Sequence, residues 1–466
     1  MKRGPLEKGE IESTAAPQEE RNSEGQRIWR LGTLRYTFSG LAFLFLCLLI
    51  GDFVSNFKDR ATLPMGQILM LQWKASDFTL SLLFGSIPNI ILLGLGPVVG
   101  AYSDRFRSRW GRRIPFILLT LPFIVLSLSM MAFTPWLGSI LDQRMGAQSP
   151  GLESCRILIF GFFWILFEVG TLTTTNIFYT LINDVVPRTL IGRFYGLFRG
   201  VNLLAGVLFN YFLIGKVEQH YREIFIGMGL LYGIGMLWMC LKIKEGEYES
   251  VPQGEERGVR KILHTFKEYF KLCFSDRGFI LIFIAIAVAQ VGTVPLNTFG
   301  LFYAKSLGIS IDLYGKYLAM TYVISFVLAY GIGAATDYFH PFRVFLVIVT
   351  LSVCNNIWGW FFATTPLCFG IAFIGHGVFA GALGAATIAI GQRIFPRAYY
   401  GIFFTVSAAI TAIGCIILPM LIGAFLDYSG HQYRCLFLIA AGLTFCGGGL
   451  LAKAYRKWDL TQDRVE

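Results

Sequence analysis

The sequence predicts an all-α membrane protein of twelve transmembrane helices arranged as two pseudo-symmetric six-helix bundles. Three observations lead there. The chain of 466 residues is 55% hydrophobic and only 15% charged, against roughly 25% charged residues in a soluble domain. Its apolar residues gather in twelve runs, each near the roughly 20 residues of helix that cross about 30 Å of hydrocarbon. Motifs beside the first six runs return beside the last six.

In chain order the runs occupy roughly 36–56, 77–100, 114–133, 156–182, 194–214, 224–243, 279–303, 314–335, 342–362, 367–390, 401–425 and 434–452. Pro88, Pro97, Pro122 and Pro295 fall inside them, which membrane helices tolerate when neighbouring helices satisfy the freed backbone groups. Residues 1–30 lack an apolar core and read as a disordered tail, neither signal peptide nor span. Residues 31–243 make a first bundle, 244–277 a central hydrophilic loop, 278–454 a second bundle and 455–466 a second tail. In the central loop Ile262, Phe266, Tyr269 and Phe270 recur at helical spacing, with Lys261, Lys267 and Lys271 elsewhere. That pattern fits a basic amphipathic helix on the membrane face, or an inward extension of the seventh span.

Net charge is +11, and Lys and Arg concentrate in the loops on the side of the two termini. Loops rich in Lys and Arg stay inside, so both termini are expected in the cytoplasm of a multi-pass protein of the cell (inner or plasma) membrane. The arginines are scattered over short loops with no domain to carry them, so no nucleic-acid partner is expected. The nine cysteines sit mostly inside apolar runs without metal-like spacing and read as packing residues. No P-loop, His-Glu-x-x-His or nucleophile elbow occurs, so neither an enzyme nor a self-contained ATP-driven pump is expected.

The internal echoes are specific. GAYSDRF after the second run and GAATDYF after the eighth set Asp337 opposite Asp104, and VVPRTLIGRFYGLF and RIFPRAYYGIFF set Pro187 opposite Pro396. A duplicated six-helix unit is how many carriers are built. The loop Gly100–Arg113, GAYSDRFRSRWGRR, surrounds Asp104 with Arg105, Arg109, Arg112 and Arg113. A carboxylate among guanidinium groups forms bidentate, charge-assisted bonds that would latch the two halves together while the inner side is closed. Gly100 and Gly111 are assigned to the same gate, because enforcing topology requires no glycine; Arg107 is read as a topology signal only. The second copy has lost these arginines, since Asp337 is followed by Tyr-Phe-His-Pro.

This loop resembles the signature loop between helices 2 and 3 of major facilitator superfamily transporters. Its Arg-x-Gly-Arg-Arg-x-Pro ending resembles that of the glycoside–pentoside–hexuronide symporters and the sucrose-transporter-like carriers. The resemblance implies the major facilitator fold and a sugar carried by alternating access. Arg199, in RGVNLLAG, looks like the position where melibiose-type carriers place a sugar-binding arginine. Sodium-coupled members bear two aspartates in helix 2 where this chain has Gly96 and Leu92, so the coupling ion implied is the proton, with no other cofactor.

Charges at mid-membrane cost roughly 2.5–3.5 kcal/mol each on insertion scales, so those present need a reason. Glu168, near the centre of the fourth run, is the candidate protonatable group, and Arg199 a donor to substrate hydroxyls or its ion-pair partner. Asp52, near the outer end of the first run, reads as a substrate or proton group, or as interfacial. His376 changes charge near neutrality, or is an interhelical donor. Asn89, Asn176, Asn202, Gln290 and Asn297 offer amides for hydroxyls, and Trp164, Tyr179 and Trp358 flat faces for a sugar ring, although interhelical bonding explains any single amide equally well. The expected function is proton-coupled uptake of a glycoside or disaccharide by a monomer. The alternatives are a drug or metabolite exporter, an uncoupled facilitator, and a non-transporting membrane sensor.

Overall fold

The first half of the chain forms helices α1 (Phe38–Gln72), α2 (Asp77–Leu80), α3 (Ile87–Arg105), α4 (Ile114–Ala132), α5 (Thr134–Met145), α6 (Leu152–Val185), α7 (Ile191–Phe212) and α8 (Val217–Lys242). A π turn, Ser81–Ser86, joins α2 to α3. The second half forms α9 (Arg277–Val291), α10 (Val294–Ser306), α11 (Ile311–Tyr338), α12 (Pro341–Phe362), α13 (Pro366–Ile394), α14 (Tyr400–Tyr428) and α15 (Cys435–Gln462). This computed structural model describes residues 20–21, 27–31, 33–187, 189–246, 273–274, 276–395 and 400–462. The amphipathic segment 262–270, Pro396, most of both tails and the side chains of Asp104, Arg105 and Asp337 lie outside that description.

Eleven stretches among the described residues are long and apolar enough to cross a membrane. One of them, Ile191–Lys242, holds both α7 and α8 around a short turn at Ile214–Lys216, so it crosses twice. Local chemistry sets the ends. Thr37, Ser76, Ser310 and Thr365 accept backbone N–H bonds at the starts of α1, α2, α11 and α13, satisfying donors a helix leaves orphaned. Proline opens α4, α5, α12 and α13, where its missing N–H costs nothing.

The duplication is real in space. In the first half α1 packs on α7 and α8, α4 on α6 and α8, and α3 on α6; in the second α9 packs on α14 and α15, α12 on α13 and α15, and α11 on α13. These are the same five pairings in each copy. Two seams join the halves, α7 on α11 and the α2–α3 run on α14.

With the side bearing the termini called inner, both seams are tight at their outer ends. A Cβ on Gly315 would strike the Asn210 carbonyl at 2.3 Å, and one on Gly85 would strike Pro419 at 2.7 Å. Ser86 donates to the Ile416 carbonyl at 2.6 Å, and Gln67 of α1 to the Thr298 carbonyl of α10 at 3.0 Å. Toward the inner side the halves part around a cavity of about 210 Å³, lined by Arg199 of α7, Ala329, Ile332, Gly333 and Thr336 of α11, and Ala385 of α13. The arrangement is inward-open.

Two sequence expectations need correction. Residues 20–36 are not all tail and helix: strands β1 (Glu20–Arg21), β2 (Arg27–Leu31) and β3 (Leu34–Tyr36) form an antiparallel sheet. Pairing of Leu31 with Leu34 leaves a two-residue hairpin link, and Trp29, Leu34 and Tyr36 pack on the first-half core. More important, α1 does not end at residue 56. It runs 35 residues, about 52 Å at 1.5 Å per residue, and carries Lys58, Asp59 and Arg60 near its middle.

Candidate functional site

Along α1, Asp52, Asn56 and Arg60 stand four residues apart, one above another on a single face. Asp52 is buried at 2% exposure; its carboxylate accepts from the Asn56 amide, whose Nδ2 also donates to the Asp52 carbonyl at 2.9 Å. Asn202 of α7 donates to Asn56 Oδ1. Arg60 donates to Asn202 Oδ1 at 2.6 Å and to the Tyr322 hydroxyl of α11 at 3.1 Å, and its guanidinium lies 4.8 Å from the centre of the Tyr322 ring. A continuous chain of polar groups therefore runs Asp52–Asn56–Asn202–Arg60–Tyr322 from the first half into the second. Asp52 Oδ2 has no hydrogen-bond partner among the described residues.

One step round α1 is a second set. Lys58, 1% exposed, donates to Asp59 and, at 2.9 Å, to Thr171 of α6, and lies 4.8 Å from the Phe167 ring and 5.1 Å from the Tyr232 ring. Glu168, one turn from Thr171, is within electrostatic reach of Asp59 and Lys58. A buried ammonium needs these partners: unpaired in an apolar interior, its desolvation would be prohibitive. The first set reaches across to the second half through Tyr322, whereas the second is enclosed by α1, α6 and α8 of the first half; together they supply hydrogen-bonding groups for a polar cargo and carboxylates that can hold a proton.

The other expected site residues divide clearly. Asn202 belongs to the chain above, and Tyr179 is 41% exposed beside Phe198. Arg199 lines the inner cavity and forms no ion pair with Glu168, which instead faces α1. Asn176 sits against α3 at Gly96, and Asn297 is exposed on α10. Trp164 and Asn89 are structural here: the indole donates to the Leu83 carbonyl at 3.0 Å and the amide to the Gly85 carbonyl at 2.8 Å, both satisfying groups of the π turn. The Trp164 ring is 1% exposed between Phe84 and Phe160, with no free face for a sugar. Gln290 bonds Thr387 within the second half, and Trp358 packs on Phe362. His376, 2% exposed, holds Asn356 and the Thr293 carbonyl, which makes it an interhelical tie.

The charged loop is anchored inside its own half. Arg112 grips Asp184 at the end of α6 through two bonds of 2.8 and 3.1 Å, and Arg113, 2% exposed, reaches the same carboxylate at 3.1 Å and also Ser103. Glu245, beyond α8, accepts the backbone N–H of Arg112, Arg113 and Ile114 at 2.8–2.9 Å, a carboxylate capping the start of α4. The expectation that Asp104 gathers the arginines thus missed Asp184 and Glu245, two acids remote in sequence. Arg109 is exposed over Trp110. Gly111 has φ +100°, and a Cβ there would sit 2.4 Å from the Glu245 carboxyl carbon. Gly111→Ala is therefore expected to cost about 1–3 kcal/mol, read as a clear fall in melting temperature of purified protein; an unchanged melting temperature would contradict the strain.

Sequence reading overlooked Lys58, Asp59, Arg60, Asn56 and Tyr322. The available signal was that apolar residues resume at once after Arg60, in ATLPMGQILMLQW, which a surface loop does not require.

Comparison with known proteins fits this geometry. Residues 48–355 match the family model of the Major Facilitator Superfamily. The chain belongs to that superfamily. As a Major Facilitator Superfamily member it is an integral membrane transporter and not an enzyme. It is 27% identical to an uncharacterized symporter of Synechocystis sp. over 161 residues, 33% of this chain, and so spans only 28% of that relative's length. Its fold is similar to a bacterial homolog of the human lysosomal transporter Spinster in an inward-facing, unoccupied conformation (TM-score 0.61, 16% identity, 89% of this chain and 98% of that one). It is also similar to a D-xylose–proton symporter (TM-score 0.62, 15% identity, 87% and 97%). At such identities these structures establish the superfamily's fold alone.

Proposed function

We propose that the protein takes up a sugar, a glycoside or disaccharide, together with protons, by rocking its two halves about the central polar chain. The observation that carries this reading is the Asp52–Asn56–Asn202–Arg60–Tyr322 chain, which links both halves through buried and half-buried polar groups. Its amides, guanidinium and phenol suit sugar hydroxyls, while Asp52, buried with one oxygen unpartnered, and Glu168, beside Lys58 and Asp59, are the proton carriers. The termini lie in the cytoplasm of the cell membrane, and the monomer suffices, since the whole site is built within one chain. The relative described as a symporter supports coupled movement in one direction.

Addition of the transported sugar to de-energised vesicles is expected to make the medium more alkaline. Asp52→Asn is expected to abolish accumulation against a gradient while retaining exchange of labelled for unlabelled sugar. Sugar uptake without any proton movement would refute the coupling, and accumulation by Asp52→Asn equal to the native rate would refute the role of Asp52.

A further inference from the structure

The outer end of the α2–α14 seam holds a group of side chains that the central site does not use. Asp77, first residue of α2 and 2% exposed, accepts from His431 Nδ1 at 2.7 Å and from the Tyr433 hydroxyl at 3.1 and 3.2 Å. Asp427, near the end of α14, accepts the backbone N–H of Asp77 at 2.9 Å and of Phe78 at 3.0 Å. Each half thus supplies donors to a carboxylate of the other, and Asp427 caps a helix that belongs to the opposite half, where an anion is favoured. The backbones meet closely as well: a Cβ on Gly423 would lie 2.6 Å from the Asp77 carbonyl. All of these contacts cross between the halves, so all break if the outer side opens.

We propose that Asp77, Asp427, His431 and Tyr433 form a proton-sensitive outer latch, which a proton on His431 tightens and which holds the carrier in its inward-facing state. The imidazole is 57% exposed, so protons reach it from the outer solution. Histidine is the side chain whose charge changes between about pH 5 and 8. The groups around it are the carboxylates of Asp77 on α2 and Asp427 on α14, and the Tyr433 phenol; Tyr303 of α10 stacks behind Tyr433 at 6.4 Å. The nearby Arg434 is directed away, onto the carbonyls of Trp360 and Phe361. Burial and the Asp77 carboxylate push the Tyr433 phenol upward, so it remains a donor to Asp77 from acid to neutral solution. The sign follows from the contacts. A cationic His431 faces two anions in the latched state and leaves both when the outer side opens. A charge on the imidazole therefore strengthens contacts that exist only in the latched state, so acid on the outer side favours the inward-facing arrangement. This holds whatever the cargo.

The test is a pair of spin labels across the outer seam, at Gln72→Cys and Gln432→Cys, in a background without the exposed Cys354 and Cys446, with distances measured in nanodiscs from pH 8 to pH 5.5. The expected result is a rise of about fivefold in the ratio of short to long distances on acidification. His431→Asn, which tolerates the positive φ of 61° at this position, is expected to remove the pH dependence while leaving both distance populations, and Asp427→Asn to shift both pH values toward the long distance. A pH response unchanged in His431→Asn would overturn the proposal, as would a single distance at every pH in the native protein.

Discussion

Arg60→Gln is expected to lower transport at least about a hundredfold while the protein inserts and folds normally. The guanidinium donates to Asn202 on α7 and to Tyr322 on α11, so it joins three helices and both halves through one side chain. A hydrogen bond from a charged donor is worth about 1.5–3 kcal/mol, and losing two of them between the helices lowers the population of the ordered site by roughly two orders of magnitude or more. Glutamine keeps bulk and polarity but has neither the charge nor the planar fork. Arg60→Lys is expected to recover only a small part, because a single ammonium lacks the planar fork whose two separate nitrogens reach Tyr322 and Asn202. Initial uptake rates in proteoliposomes, normalised to inserted protein, decide the matter; a rate within threefold of native for Arg60→Gln would remove Arg60 from the site.

Removing the acid beneath the charged loop is expected to be the most damaging change for stability. Asp184→Ala takes away the carboxylate that Arg112 and Arg113 share, at side-chain exposures of 18% and 2%. Breaking a buried ion pair by deleting one partner costs about 3–5 kcal/mol, since the remaining charge stays desolvated. Asp184→Asn keeps the shape and one acceptor and is expected to cost less. Thermal unfolding in detergent orders native above Asn above Ala; equal melting temperatures for Ala and native would show that the loop does not depend on this anchor. Because Glu245 holds the same loop by its backbone, the two anchors are expected to be non-additive, as contacts sharing one network are.

The class of protein was legible from lengths and periods alone. Hydrocarbon thickness dictates runs of about 20 apolar residues, and these are visible without partners, as are the paired motifs whose reality appears in the five matching helix contacts of each half. The charged loop was legible as a feature, with Gly111 assigned to its gate; that a side chain is excluded there came from the structure. Its partners were not, because Asp184 and Glu245 are 71 to 133 residues away from the arginines they hold.

The central site shows the limit most plainly. Read locally, Asn-Phe-Lys-Asp-Arg at 56–60 is a hydrophilic interruption that ends a helix, since three consecutive charges in lipid cost too much. What reverses that reading is supplied from elsewhere in the chain: Thr171, Phe167 and Tyr232 for Lys58, Asn202 and Tyr322 for Arg60. Likewise Trp164 and His376 looked like site residues in one dimension, and packing used them as ties.

Sequence alone determined that this chain crosses a bilayer repeatedly as a duplicated unit, because the bilayer imposes its thickness on every segment separately. Only the tertiary structure decided which charges lie at its centre and which end of the carrier is closed. Buried charge and helix contact are properties of pairs, and the pairs here are brought together only by the folding of distant segments onto one another.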